Sequence, residues 1–438
     1  MPAAPMEVEG HGGEPEATEE EREEFEGLVE LEKSDPEGAA KGYEVILDAA
    51  EGQVDVPMTK YEEWSLIHLC GLYAKLGRTE ALVKLLKQVR PRFGALPKAK
   101  TAKIVRTVID SMAKIPGTEE AQVNLCNEYV QWCIEERRAF LRQRIQTRLA
   151  NLYLSTGRFQ QALKLLAELQ TEVKKLDDKQ LLVEIFLIES RVHHALRNLP
   201  RAKSSLTAAR SVSNSIYVGP MLQGEIDMQG GILNADEKDF RTAYSYFFEA
   251  FEGLSTLQDP RAQSCLKYML LCKIMHGQGD EVPTILNQKK TMPYTGEDIE
   301  AMRAIARAYK ARSLHEFDAV LKKYSAQIDH DALVQRHLQD LQANLLEQNL
   351  VRLIEPFSRV EIAHVAKLID LPLREVESKL SQMILDKKFR GILDQGTGEL
   401  VVFEEPISDT TYDASLNVLQ DMSLVTDALF RRSEQLNA

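Results

Sequence analysis

Two short segments of this sequence contain histidines that could bind a catalytic metal. His315 and Glu316 begin the H-E-x-x-H pattern of zinc peptidases, but Ala319 occupies the position of the second histidine. His193 and His194 are adjacent, and neighbouring residues of a helix point about 100° apart, so they cannot face one metal ion. The histidines therefore predict no metal site, and His193 and His194 are interpreted as the edge of a repeat helix.

Other catalytic motifs are missing from the sequence. It contains no G-x-x-x-x-G-K-[ST] phosphate-binding loop, no G-x-S-x-G nucleophile elbow, and no H-x-H of the kind a zinc isopeptidase uses. Gly396 and Gly398 lie in a predicted turn that no helix N-terminus follows, so they are not interpreted as a phosphate site. We therefore predict a non-enzyme with no catalytic residue, no cofactor and no metal, although a triad assembled from distant residues stays open.

The cysteines do not form a disulfide or zinc pattern. Cys126 and Cys133 are seven residues apart, as are Cys265 and Cys272, and Cys70 stands alone. Seven residues of helix rise by about 10 Å, which is too far for a disulfide. The five side chains are therefore predicted to be reduced thiols that pack as small apolar groups, as in a cytosolic or nuclear protein.

Charge is concentrated at the N-terminus. Residues 1–37 hold 14 Asp/Glu and two Lys/Arg, whereas the remaining residues are almost neutral. This segment is predicted to be an acidic, mostly disordered tail. The body lacks the positive excess of a nucleic-acid binder, and no stretch of 18 apolar residues predicts a membrane span. Neither a nucleic-acid partner nor a membrane partner is expected.

A repeat with a period near forty residues organises the chain from about Pro36 to Gln327. Helical stretches with one apolar face are separated by break residues that stand 39 to 41 positions apart: Gly77, Gly117, Gly157, Asn198, Lys238 and Gly277. Helices of this kind bury their apolar faces only by stacking on neighbours. The turn at residues 154–162 resembles that of tetratricopeptide (TPR) repeats, so the pattern predicts an all-α, TPR-like solenoid.

The periodicity changes after about residue 337. A helix is predicted to end before Pro356, a second to begin at a Ser358 N-cap, and a third to follow Pro372. Two short β-forming runs, 390–393 and 400–404, then flank a glycine-bearing turn. This order predicts a winged helix with a small β-hairpin. Residues 350–405 hold eight bases and ten acids, which disfavours DNA binding by this module.

The last predicted helix begins near Asp409, after Pro406. It carries an apolar stripe formed by Tyr412, Leu416, Leu419, Met422, Val425 and Leu429. From the pattern alone, the helix either folds back on its own domain or enters a bundle with other chains. Both interpretations stay open at this point.

The predicted organisation has four parts. Residues 1–37 form the tail, 38–230 the TPR-like solenoid, and 231–406 a domain made of helical repeats (231–336) and the winged helix (337–406). Residues 407–438 form the terminal helix.

A helical-repeat rod that leads into a winged helix and a lone terminal helix resembles the PCI-domain proteins. These are subunits of the proteasome lid, the signalosome and a translation-initiation factor complex. Segments 244–253, 266–275, 353–362 and 380–396 are similar to those of non-ATPase proteasome lid subunits. The resemblance covers about residues 38–438 and is most specific in the last two segments.

The resemblance implies a right-handed solenoid that ends in a PCI winged helix, and a structural role in the cytoplasm and nucleus. The implied partners are other lid PCI subunits, the lid deubiquitinase pair, an ATPase base subunit and an outer-ring α subunit of the core particle. Phe389, Ile392, Leu400 and Val402 are implied to form the winged-helix edge that pairs with other subunits. Leu416, Leu419, Met422, Val425 and Leu429 are implied to enter a lid helix bundle. A subunit of the signalosome or initiation factor, or a winged-helix nucleic-acid binder, is the alternative.

Overall fold

A computed structural model of the protein describes residues 25, 27–32, 35–49, 59–94, 97–113, 115, 117–329, 331–369, 371–394, 396–403 and 410–437. By its contacts the chain divides into two units, Met1–Cys272 and Lys273–Ala438. Helices account for most of both units, and a three-stranded antiparallel sheet belongs to the second. The helical fold class with a small sheet is thus confirmed, while the right-handed sense of the solenoid stays a prediction.

The first unit is a succession of helices of similar length. Their bounds are α1 Pro36–Ala49, α2 Lys60–Leu76, α3 Thr79–Val89, α4 Lys98–Met112, α5 Glu119–Glu135, α6 Ala139–Ser155, α7 Phe159–Leu176, α8 Lys179–Ala195, α9 Leu199–Ser213, α10 Pro220–Asp236 and α11 Phe240–Thr256. Helix α12, Arg261–Met275, spans the division between the units. The predicted boundary at residue 230 falls inside α10, a continuous helix that packs closely on α11, so packing does not separate the chain there.

Buried apolar side chains link these helices in series. One cluster runs from Phe25 to Leu152, a second from Ala150 to Val192, and a third from Val183 to Leu233. Because the ranges overlap along the chain, each helix pair shares its core with the next pair. The predicted stacking of amphipathic helices is therefore present in this unit.

Residues with a left-handed backbone mark the turns inside the helix pairs. Of the predicted break residues, Gly77, Gly117, Gly157 and Gly277 have φ between +70° and +82°, and Lys238 has φ +66°. At the remaining predicted break, the residue with a left-handed backbone is Arg197, with φ +61°, and not its neighbour Asn198. Asn198 instead caps α9, since its side-chain oxygen accepts a hydrogen bond from the Arg201 backbone N–H.

The α10–α11 contact depends on a glycine. A Cβ atom at Gly231 would lie 2.7 Å from ring carbons of the buried Phe247. We expect Gly231→Ala to lower the free energy of unfolding by about 1–3 kcal/mol, because a closely packed interface must shift. The matched control is Gly71→Ala in α2, where nothing lies within 4 Å of the added Cβ. That change should stabilise by about 0.5–1 kcal/mol through helix propensity. Thermal denaturation of both variants checks this, and equal shifts would contradict it.

The second unit combines helices of very different lengths with the sheet. Its helices after α12 are α13 Val282–Leu286, α14 Glu297–Ala311, α15 Leu314–Lys323, α16 Ser325–Asp329, α17 Ala332–Ile354, α18 Ile362–Ile369, α19 Leu373–Leu385 and α20 Thr410–Asn437. The strands are β1 Arg359–Glu361, β2 Gly391–Asp394 and β3 Glu399–Val402, in the order β1-β3-β2. Residues from α17, α18, α19 and β3 form one core that includes Leu350, Val365, Leu380 and Leu400.

The sheet has one strand more than the predicted hairpin. Ser358 was expected to cap a helix, but its carbonyl oxygen accepts a hydrogen bond from the Val402 N–H at 2.9 Å. Residues 359–361 then pair with β3, with Val360 opposite Leu400. The prediction of a Ser358 N-cap is therefore wrong, because pairing with a distant strand overrides the local capping pattern.

Only part of the predicted tail 1–37 can be compared with the structure, because residues 1–24 lie outside the described residues. Phe25 is buried, and its ring centroid lies 5.9–6.1 Å from those of Tyr43, Tyr61 and Trp64. Residues 27–32 are helical, and α1 begins at Pro36. The ordered chain therefore includes residues that the prediction assigned to the tail, because one aromatic side chain anchors them to α1 and α2.

Candidate protein-binding surfaces

The histidines that could have bound a metal lie in structural contacts. His194 Nε2 is 2.7 Å from Asp236 Oδ2, whereas the buried His193 Nε2 lies 3.9 Å from Glu189 Oε1. The two rings thus have separate partners, in agreement with the prediction for a repeat helix. Across the described residues, no group of three or more His, Cys, Asp or Glu side chains could hold a metal ion.

Of the helices that the structure describes, none is both long and apolar enough to cross a membrane.

The five cysteines are free and buried. Burial raises the pKa of Cys70, Cys265 and Cys272 to about 12, and that of Cys126 and Cys133 to about 11. These thiols are therefore protonated at neutral pH, and the thiolate is the reactive form. The prediction of reduced, packed cysteines agrees with this environment.

Thiol labelling provides a test of this burial. We expect iodoacetamide at neutral pH to leave the native chain unmodified during the time in which the guanidinium-denatured chain gains five carbamidomethyl groups. Raising the pH to 8.5 should change the native result little, because the folded-state pKa values of all five thiols lie well above that pH. Intact-mass spectrometry measures the count, and rapid alkylation of the native chain would contradict the packing described.

Helix α19 and the turn that follows it carry four cations, and two of them, Lys379 and Lys388, are paired within the module. Lys379 Nζ lies 4.0 Å from Glu347 Oε1, and Lys388 forms an ion pair with the same carboxylate. Glu347 belongs to α17, so the module neutralises two of its cations internally. The pairing takes two cations away from contact with phosphate groups, and residues 350–405 carry a net negative charge.

The four residues predicted for the winged-helix edge lie in different environments. Leu400 is fully buried and Val402 is half-buried, and both belong to β3, the central strand. Phe389 packs half-buried against the module's core, while Ile392 on β2 is 57% exposed. The placement of Leu400 and Val402 at an edge is therefore corrected, because β3 pairs on both sides. The outer strands are β1 and β2, so Ile392 is the predicted residue that lies on an edge strand.

Helix α20 is exposed on every side. All described side chains from 411 to 433 are exposed, and none of them belongs to a buried core cluster of the described residues. The predicted stripe is part of this surface: Leu416, Leu419, Met422, Val425 and Leu429 are between 43% and 62% exposed. The alternative in which the helix folds back on its own domain does not occur in this structure. Whether these residues bind other subunits stays a prediction.

The apolar surface of α20 is wider than the predicted stripe. Val418, Leu424 and Phe430 are apolar and exposed too, and so is Tyr412 of the predicted stripe. At about 100° per residue, all of these positions except Leu424 lie within an arc of roughly 180°. A contact with one helix covers a narrower stripe, so this arc fits at least two neighbouring helices. The spacing of these apolar residues in the sequence already indicates the wider surface, but the prediction included only one stripe of them.

Two known protein families match separate parts of this chain. The family described as the 26S proteasome regulatory subunit RPN6 N-terminal domain matches residues 21–156, and the PCI domain matches residues 321–404. The second match contains α17 to α19 and the whole sheet. The first match includes Phe25 and helices α1 to α6.

Curated relatives match almost the whole chain. The 26S proteasome non-ATPase regulatory subunit 11 homolog of Arabidopsis thaliana is 52% identical over 93% of this chain and 96% of its own length. The probable 26S proteasome regulatory subunit rpn6 of Schizosaccharomyces pombe is 46% identical over 91% and 95%. The 26S proteasome regulatory subunit RPN6 of Saccharomyces cerevisiae is 41% identical over 89% and 91%. The chain therefore belongs to the RPN6 family of PCI-domain proteins, also called non-ATPase regulatory subunit 11 of the 26S proteasome.

Proposed function

We propose that the chain is a non-catalytic structural subunit of the proteasome regulatory-particle lid. In this role it joins the lid to the ATPase base and to the core particle, and so supports ubiquitin-dependent protein degradation. The observation that supports this proposal is the wide apolar surface of α20, which no other described part of the chain covers. An exposed apolar surface of this kind is typical of a protein-protein interface.

The proposal assigns separate partners to separate parts of the chain. Helix α20 enters a bundle with helices of other lid subunits, including the lid deubiquitinase pair. The winged helix pairs with the PCI subunits of the lid through an outer strand, and Ile392 lies on that strand. The stacked helices of the first unit contact an ATPase base subunit and an outer-ring α subunit of the core particle. The assembly works in the cytoplasm and the nucleus.

Two alternatives receive less support. A subunit of the signalosome or a translation-initiation factor would share the architecture, but the relatives reported above carry names of proteasome subunits. A winged-helix nucleic-acid binder would need unpaired cations, whereas Lys379 and Lys388 are paired with Glu347.

Depletion of the chain from cells tests the function. We expect ubiquitin conjugates to accumulate, while the purified core particle keeps its peptidase activity, because the missing subunit acts in assembly and not in hydrolysis. Re-expression of the full chain should clear the conjugates. Unchanged conjugate levels after complete depletion would overturn the proposal, as would hydrolysis of peptides or ubiquitin chains by the purified single chain.

A further inference from the structure

The first unit contains a groove that the contacts proposed for α20 and the winged helix do not explain. Its volume is about 960 Å³, and it is lined by residues of α4, α6, α8 and α10. These are the first helices of four successive helix pairs, so the groove crosses the repeats rather than following one helix. Neighbouring helices are spaced by 8–10 Å, which gives the groove a length of roughly 30 Å. About nine residues of extended chain span that distance.

Basic side chains predominate in the lining of this groove. Five are basic: Lys103, Arg106, Arg144, Arg148 and Arg191. Three are acidic: Asp110, Glu184 and Glu225. The excess of positive charge is local, since the body of the chain is almost neutral. A cleft lined mainly by one sign of charge concentrates ligands of the opposite sign.

Part of this positive charge has no ion-pair partner among the described residues. Arg191 Nη2 lies 3.0 Å from Glu225 Oε2, and Arg106 Nε lies 3.8 Å from Asp110 Oδ2. By contrast, Lys103, Arg144 and Arg148 form no ion pair with any described residue.

Arg148 has a further unsatisfied group. Its buried Nε has no hydrogen-bond acceptor among the described residues. A buried N–H without an acceptor costs free energy that a bound carboxylate or carbonyl oxygen would recover.

One acidic side chain of the lining, Glu184, is a weakened counter-ion because of its surroundings. Burial raises the pKa of Glu184, and the charges of Arg144 and Arg106 oppose that rise without cancelling it. Burial disfavours the charged form of a carboxyl group. Glu184 is therefore a poor internal counter-ion, but its charge would still repel an acidic ligand.

Apolar side chains on the same lining indicate a ligand that is not purely ionic. Phe140 is 68% exposed and Met221 is 51% exposed, and both line the groove. Phe140 is the one aromatic residue of the lining among the described residues, so the groove has no series of rings on which successive bases could stack. The acids Asp110, Glu184 and Glu225 would also repel a continuous phosphate chain. A peptide with spaced carboxylates fits these features better than a nucleic acid.

We propose that this groove binds an extended acidic segment of a partner protein, about nine residues long, which carries at least one large apolar side chain. The acidic side chains pair with Lys103, Arg144 and Arg148, and the apolar side chain packs on Phe140 or Met221. This docking function is separate from the contacts through α20 and the winged helix.

Fluorescence anisotropy with the full chain tests the proposal. The probe is a labelled twelve-residue peptide in which Glu alternates with Leu and Ser, and the comparison probe has Gln in place of each Glu. We expect saturable binding of the acidic probe only, which weakens as salt rises. The double variant Lys103→Glu with Arg144→Glu should lose affinity by about tenfold or more. Both residues are exposed, so the fold should tolerate the change. Glu184→Gln should increase affinity, because it removes a repulsive charge.

The matched control is Lys84→Glu with Lys175→Glu. These residues are exposed in the same unit and outside the groove, and the double change alters the net charge by the same amount. It should leave binding unchanged, and circular dichroism should show the same melting for both double variants. The proposal is overturned by any of three results: the control loses as much affinity as the groove variant, the Gln probe binds equally well, or a twelve-nucleotide single-stranded RNA binds more tightly than the acidic peptide.

Discussion

A chain that ends at Pro406 is expected to fold normally and to be excluded from the assembled regulatory particle. The described side chains of α20 from 411 to 433 are all exposed, so their loss removes no buried core. The winged-helix core, which includes Leu380 and Leu400, contains no residue of α20. Assembly should fail because the apolar surface of α20 provides the contacts that this chain makes in the proposed helix bundle. Native gel electrophoresis of tagged chains from cells measures the fraction incorporated.

Substitution at the apolar surface separates loss of contacts from loss of chain length. Replacing Leu416, Leu419, Met422, Val425 and Leu429 with serine should reduce incorporation nearly as much as truncation does. The matched control replaces Asp413, Asp421 and Asp427, which lie on the same helix, with alanine and should assemble normally. If the truncated chain enters the full complex at the normal level, the role assigned to α20 is incorrect.

Phe251→Ala is expected to destabilise the first unit by about 3–5 kcal/mol. Phe251 is 2% exposed and shares the buried face of α11 with Ala243 and Phe247. The spacing of these three apolar residues, four positions apart, predicts this face of the helix. Removing the ring leaves a cavity where α11 packs on α10. Because stacked repeats are stabilised by their neighbours, the effect should concentrate in residues 220–272.

The control for this change lies on the same helix. Phe248 is 37% exposed and stacks with Tyr244 on the outer face. Phe248→Ala makes the same chemical change and should cost less than about 1 kcal/mol. Thermal denaturation gives the overall shift, and hydrogen exchange shows whether protection is lost in α10 to α12. Shifts of equal size for the two variants would show that the buried face of α11 is misassigned.

The repeat architecture could be predicted because each helix pair carries its own signals. Gly77, Gly117 and Gly157 recur at a fixed spacing, and each occupies a left-handed position that favours glycine. Arg197 was missed because an arginine in that conformation gives no local signal, while the neighbouring Asn198 has the type expected at a turn. Contacts between residues far apart in the sequence were also not predicted. Ser358 has the pattern of a helix cap, but only the position of β3 reveals that residues 359–361 form a strand.

The binding surfaces were predicted less completely than the fold. The stripe on α20 followed from one periodic pattern, whereas its full width depends on which residues the rest of the chain leaves uncovered, such as Phe430. The edge of the sheet was misplaced onto Leu400 because strand order is not encoded in a hairpin pattern. The basic groove had no linear signature, because Lys103 and Arg148 are brought together only by the stacking of separate repeats.

The central claim is that the chain acts by joining other proteins within the proteasome regulatory particle. Native affinity purification of the tagged full chain, with quantitative mass spectrometry of the bound proteins, tests it most directly. We predict stoichiometric recovery of lid PCI subunits and the lid deubiquitinase pair, together with ATPase base subunits and core-particle α subunits. Recovery of signalosome or initiation-factor subunits in their place, or of the chain alone, would contradict the claim.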